Sequence, residues 1–364
     1  MGCVCRSAPN EEGIQFEMPT QKKNGHLKAT FKEKLKEYGN YISENDFNEL
    51  IPKEIQNYMN EKPLKINSES LNKNEVFELE PIEFRNDNIY QGYWNKDLKM
   101  DGPGKYYLKQ EKVLAEGNWD NGELKYGRVF LPNGDIYEGE IKDSQFNGKG
   151  KLKSNNDCYE GDFVDGEKTG NGKITFNDGT IYEGNLNKGE FKGNGHMTWK
   201  NGYDYSGEFN GPLLNGKGKL TCPEGDFYEG DFENNLFHGK GKYFFSENKD
   251  EYEGEFQYGV KKGKGIYITD KYTYDGYWDN DLPCVIGKLK TLDNNRIIKS
   301  TWRYGKIAEE PIYEKGNEED FKEIGLNIKP KEMILNAKDL PHLEATEVDS
   351  TQYKLGNSLS FLME

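Results

Sequence analysis

The feature that most constrains this chain is a short pattern that returns at a fixed interval. Tyr-x-Gly stands at Tyr90–Gly92, Tyr137–Gly139, Tyr159–Gly161, Tyr182–Gly184, Tyr205–Gly207, Tyr228–Gly230, Tyr252–Gly254 and Tyr274–Gly276. Ala115-Glu116-Gly117 fills the gap between the first two, its Tyr lost. Copies start about 22 to 25 residues apart, a spacing at which stacked supersecondary units share one continuous core. Each is followed by Gly-x-Gly, as at Gly148-Lys149-Gly150, Gly170-Asn171-Gly172, Gly216-Lys217-Gly218 and Gly239-Lys240-Gly241. Ile298 to Trp302 reads as a weak closing copy, and Ile82 to Phe84 as the matching cap at the other end.

Inside each copy the period is two. In Tyr137-Glu138-Gly139-Glu140-Ile141 the Tyr, Gly and Ile share one face and both Glu the other; in Gly148-Lys149-Gly150-Lys151-Leu152 the Gly and Leu oppose both Lys. Each copy is therefore a pair of strands. Asn133-Gly134, Asp178-Gly179 and Asn201-Gly202 join successive copies, being residues that tolerate the positive φ of tight turns. Glycine ordinarily weakens a strand. Its recurrence beside Tyr, Phe and Trp predicts an aromatic ring lying over the bare Gly of a neighbouring strand. A content of 42 Gly would suit a disordered chain, but 24 Tyr would not. The expected fold is mainly β: an elongated, single-layer antiparallel sheet over residues 76–310, with short helices at both ends.

Tyr-Glu-Gly-Asp/Glu-Phe followed by Gly-Lys-Gly resembles the MORN motif (membrane occupation and recognition nexus), in nine consecutive copies over about residues 82–305. The resemblance implies a rod-like twisted sheet with an aromatic-lined groove. It also implies a scaffold or tether at membranes, the cell cortex or cilia, with the groove in some members holding a partner's helix or peptide. The residues that carry the repeat are Tyr137, Gly139, Gly148, Gly150, Tyr159, Gly161, Tyr182, Gly184, Tyr205, Gly207, Tyr228, Gly230, Tyr252, Gly254, Tyr274 and Gly276. The departures are Ala115 and the ninth copy, where Cys284-Val285-Ile286-Gly287-Lys288 keeps a single Gly.

Charge narrows the function. There are 64 acidic and 49 basic residues, a net charge of −15, which excludes the basic face that nucleic-acid binding needs. A basic residue follows the second Gly at Lys105, Arg128, Lys151, Lys173, Lys219 and Lys242. Two readings stand. The stripe is a phosphoinositide site, or it is one half of a cross-strand lattice with Glu138, Glu160, Glu183, Glu229 and Glu253. The acidity of the whole repeat region favours the lattice. Gly170-Asn171-Gly172-Lys173 is no phosphate loop, because Ile174 follows where Ser or Thr is required and Glu167 stands where the leading Gly belongs.

The chain opens Met1-Gly2-Cys3-Val4-Cys5-Arg6-Ser7. Gly2 is the myristate acceptor this pattern presents, although Arg6 holds the place of the usual Ser or Thr. One myristoyl chain gives only reversible membrane binding, and Cys3 and Cys5 supply the second signal as palmitoylation sites. Leu27, Phe31, Leu35 and Tyr38 then recur at helical spacing among Lys28, Lys32, Lys34 and Lys36. Lys28, Phe31, Lys32, Leu35 and Lys36 are expected to face an anionic leaflet, or the same helix packs on the first repeats. Ser43 with Asp46 is a helix-capping pair, Pro52 opens a further helix, and residues 61–75 are a polar linker, closing an N-terminal segment of 1–75.

Residues 311–364 form an acidic tail in which Pro330 begins a short helix through Leu340, with Ile334 and Ala337 inward. Neither terminal segment has room for a catalytic domain, and no nucleophile–base pair stands out. The cysteines and the four scattered His form no disulfide framework or metal pattern, and the chain is expected in the reducing cytosol. The expectation is a non-enzymatic scaffold without cofactor or metal, on the cytoplasmic face of the plasma membrane, cortex or a cilium. Its partners are the membrane through acyl chains and a protein helix or peptide, with self-association left open. The alternatives are a radial-spoke-head-like structural component and a regulatory subunit of a phosphoinositide kinase.

Overall fold

The computed structural model describes residues 22–66, 76–293 and 295–316, together with Met333. These residues fall into two compact units that divide between Pro132 and Asn133.

The N-terminal unit contains helices α1 (Lys22–Leu35), α2 (Glu44–Leu50) and α3 (Lys53–Glu61). Five antiparallel strands follow in chain order from Val76–Phe84 to Glu123–Phe130, and Gly39–Tyr41 pairs along the outer edge of the first. The Ser43–Asp46 capping box is present: Asp46 N–H donates to Ser43 Oγ, and Asp46 returns its carboxylate to the Ser43 amide. Helix α1 ends at Leu35, so Tyr38 lies in the following turn and not on the helical stripe.

The C-terminal unit is an antiparallel meander of strands from Ile136–Lys142 to Ile297–Arg303, each bonded to the one before. Lys306–Ile307 and Ile312–Lys315 both pair with the last of these, at opposite ends. In six of the seven repeats of this unit the strands are joined by two-residue turns in which both residues take positive φ, as in Asp143-Ser144, Asn234-Asn235 and Asn280-Asp281. That geometry matches the right-handed twist of the flanking strands. Between repeats the chain closes a wider loop; Phe176 N–H donates to Thr180 O and Gly179 N–H to Phe176 O.

The core lies on one face of this layer and is made from the recurring rings. Each Tyr of Tyr-x-Gly in this unit is fully buried. Its neighbours form a running edge-to-face chain: Phe163 touches Tyr137 and Tyr159, Phe209 touches Tyr182 and Tyr205, and Phe232 touches Tyr205 and Tyr228, with centroids 5.1–5.3 Å apart. Phe146 and Phe237 stack flat on Tyr137 and Tyr228 at 3.7 and 3.9 Å. Such ring pairs contribute about 0.5–1.5 kcal/mol each beyond the area they bury.

Candidate functional site

The glycines explain how a single layer holds a core. The central Gly of each strand pairs with the central Gly of both neighbours, so that Gly139, Gly150, Gly161, Gly172, Gly184 and Gly195 form one line across the sheet. The Tyr ring lies along that line. A Cβ on Gly150 would stand 2.5 Å from Tyr137 Oη, and one on Gly161 would meet Tyr159 just as closely. The phenol then donates to the carbonyl three residues on: Tyr137 to Glu140 at 2.6 Å, Tyr182 to Asn185 at 2.8 Å, Tyr228 to Asp231 at 2.8 Å. Burial raises the Tyr182 and Tyr228 phenols above their ordinary pKa, so they stay neutral donors. Where Tyr is lost at Ala115, Leu124 Cδ1 comes over Gly117 and Gly127 in its place.

A bulge follows the Gly of Tyr-x-Gly, and in several repeats an acidic side chain completes it. Glu140 accepts from Lys149 N–H at 3.0 Å, Glu208 from Lys217 N–H at 3.1 Å and Asp231 from Lys240 N–H at 3.0 Å. The Gly before that amide has φ near +60° in Gly148 and Gly216, where a side chain would be strained and would strike the same carboxylate. This acidic residue was not singled out from sequence, where it looks like one more solvent-facing charge.

The outer face carries the charges, and they are registered. Glu138, Lys151, Glu160, Lys173 and Glu183 oppose one another strand by strand, as do Lys219, Glu229, Lys242 and Glu253. Ion pairs follow: Lys173–Glu183 at 2.5 Å, Lys151–Glu160 at 3.3 Å and Lys219–Glu229 at 3.8 Å. A second row adds Lys149–Asp162 at 2.6 Å and Lys217–Asp231 at 2.7 Å. Lys173 holds the Glu183 carboxyl below its ordinary pKa chiefly through their hydrogen bond. Exposed pairs of this kind contribute about 0–1 kcal/mol each, so their effect is less on stability than on which charges a ligand would find unengaged.

The groove is lined differently from what the resemblance implied. The recurring rings are buried, so the aromatic face is closed by its own side chains. An open groove, with room for about 690 Å³, lies on the charged face. Its walls are Glu229, Lys240, Lys242, Glu253, Glu255, Lys264 and Ile266, over Gly241, Gly254 and Gly265.

In the N-terminal unit that face is occupied. Arg128 and Glu116 are buried and paired at 3.1 Å; Arg128 also donates to Lys62 O, just past α3, at 2.8 Å and lies over the Tyr58 ring. Tyr58 in turn meets Phe130 edge to face. Arg128, read from sequence as a member of the cationic stripe, here fastens a helix. Helix α1 shows the packing reading: Phe31 lies 5.0 Å from Phe77, Leu35 is buried, and Lys32 pairs with Glu80 at 2.6 Å. Lys28 and Lys36 remain exposed, the latter bonded to Glu33. Gly2, Cys3 and Cys5 lie outside the described residues, as does the expected helix 330–340 apart from Met333.

Among the described residues no group of His, Cys, Asp and Glu has metal-site geometry, and no helix is long and apolar enough to cross a membrane. Seven segments, residues 137–158, 159–181, 182–202, 205–227, 228–248, 252–271 and 274–296, match the MORN repeat family model. No curated protein matches the chain. Solved structures with some likeness include the TCP10 domain of Danio rerio CPAP in complex with a peptide of Danio rerio STIL. It is 14% identical over 55% of this chain and 84% of that one, with a TM-score of 0.27. The SAS-4 (dCPAP) TCP domain of Drosophila melanogaster, with a proline-rich motif of Ana2, is 16% identical over 47% of this chain and 98% of that one, with a TM-score of 0.28. Likeness this slight carries no functional argument. The family match coincides with the strands, the glycine line and the buried tyrosines described above, so that seven segments between residues 137 and 296 are similar to the MORN repeat in sequence and in strand pattern.

Proposed function

We propose that the chain is a non-enzymatic scaffold, held at the cytoplasmic face of a membrane by acyl chains on Gly2, Cys3 and Cys5, whose repeat array presents a binding surface to a protein partner. The observation that carries this reading is the state of the two faces. The inner one is filled by its own rings, and the outer one is a lattice in which acids stand opposite the cations. Membrane attraction worth about 1 kcal/mol per basic residue requires cations free to meet the leaflet, and Lys151, Lys173 and Lys219 are each engaged by a Glu. Anchoring therefore falls to the Met-Gly-Cys-Val-Cys start, where a myristoyl chain with one or two palmitoyl chains gives stable attachment.

Fractionation of cells carrying the full chain tests this. The wild type should sediment with membranes and Gly2→Ala should appear in the soluble fraction. A Gly2→Ala protein that stays with the membranes would sink the proposal.

A further inference from the structure

The charge lattice lapses at His196 and Ser206, which keep the surface polar, and gives way to apolar side chains farther along the array. Ile266 stands where earlier repeats put Lys151, Lys173, Lys219 and Lys242; Tyr277 stands where they put Glu140, Asp162, Glu208, Asp231 and Glu255. Val285-Ile286 replaces the Gly-Lys of the bulge. The four side chains lie on the outer surface of three consecutive strands and are 39%, 49%, 56% and 52% exposed, respectively. Val285 has φ +60°, a conformation a β-branched residue adopts only under strain, and glycine fills this position at Gly148, Gly170, Gly216 and Gly239. Strain retained in an exposed apolar side chain points to a use for that side chain.

We propose that residues 330–340 of the same chain cover this patch. The last described strand, Ile312–Lys315, is bonded to Ile297–Arg303, which lies beside the strand carrying Val285 and Ile286. From there Ile266 is about four strand spacings away, roughly 20 Å, and residues 317–329 reach about 40 Å when extended. Charge directs the path. Lys288 and Lys299 stand directly opposite one another, an unfavourable pair that Glu314 relieves by bonding Lys288 at 2.8 Å. Glu318, Glu319 and Asp320 come next in the chain and carry the same charge as Glu314. Pro330 suits the first turn of a helix, and Met333, Ile334, Ala337 and Leu340 then recur at helical spacing. Met333 is half-buried. The N-terminal unit shows that this kind of face accepts a helix, since α3 sits there against Arg128 and Phe130.

The test uses the full chain with a photoreactive benzoyl-phenylalanine at Tyr277, irradiated in dilute solution and mapped by mass spectrometry. The cross-link should join position 277 to the peptide containing residues 330–340 of the same molecule. Its yield should fall about tenfold in Ile334→Asp/Ala337→Asp, since docking would then bury two carboxylates. Cross-links to a second copy, cross-links to other segments only, or an undiminished yield in the double variant would each overturn the proposal.

Discussion

Gly150 and Tyr137 show how little the repeat tolerates. The phenol ring fills the space a Cβ would take, and the opposite strand leaves no slack, because Gly139 Cα lies against Gly150 in register. Gly150→Ala should therefore destabilise by about 1–3 kcal/mol through overpacking, measured as a shift in the denaturant midpoint at unchanged slope. An unchanged midpoint would mean that the ring is not seated on the glycine line. This relation was legible in sequence, because Tyr and Gly recur together with a period of two and only one arrangement lets both serve the same face. The carboxylates of Glu140, Glu208 and Asp231 were not legible as bulge partners, since an alternating Glu reads the same whether it meets water or a backbone amide.

At the scale of the hairpin, the residue at the position of Phe146 is a ring in three repeats, a lysine in two, Leu214 in one and Pro283 in one. Lys168 and Lys261 take the place of Phe146, Phe191 and Phe237. Lys168 is buried beside Asp157 at 3.5 Å. Lys261 has no hydrogen-bond partner for its Nζ among the described residues and sits within 5.1–5.9 Å of the Phe245, Tyr252, Tyr267 and Trp278 rings. The rings offset part of its lost hydration, and Asp281 favours its charged form. Burial dominates and pushes its pKa from 10.5 down to about 8. Between those values the unfolded chain binds the extra proton, so stability rises with pH from about 8 upward; below 8 both states are charged and the slope vanishes. The buried tyrosines act in the opposite sense, with pKa values raised above 10, so their stabilisation is lost only as pH climbs past that value. Lys261→Met should accordingly be more stable than wild type at pH 7, by as much as about 3 kcal/mol, with the difference shrinking between pH 8 and 9.5. Thermal melts in that window check it, and parallel curves for the two proteins would contradict it. Sequence gave no warning of this site, because Lys261-Lys262-Gly263-Lys264 reads as one more solvated run. The apolar patch was half visible: the missing Gly before Ile286 was plain, but Ile266 and Tyr277 belong to other strands, and only strand register brings them together.

For the whole molecule, the proposed function divides the labour: the repeats would present a surface to a partner and an acylated N-terminus would hold the membrane. The family resemblance legible in the motif accords with the strands of both units, yet it could not say which face is open, because that depends on how far the rings close over one another. The most direct test is co-sedimentation of the full chain with vesicles containing phosphatidylserine and phosphoinositide at physiological salt. The acylated protein should bind, and Gly2→Ala should remain in the supernatant whether or not Lys151, Lys173 and Lys219 are changed to Gln. Robust binding by Gly2→Ala that disappears with those three substitutions would show that the lattice is a lipid site and contradict the account.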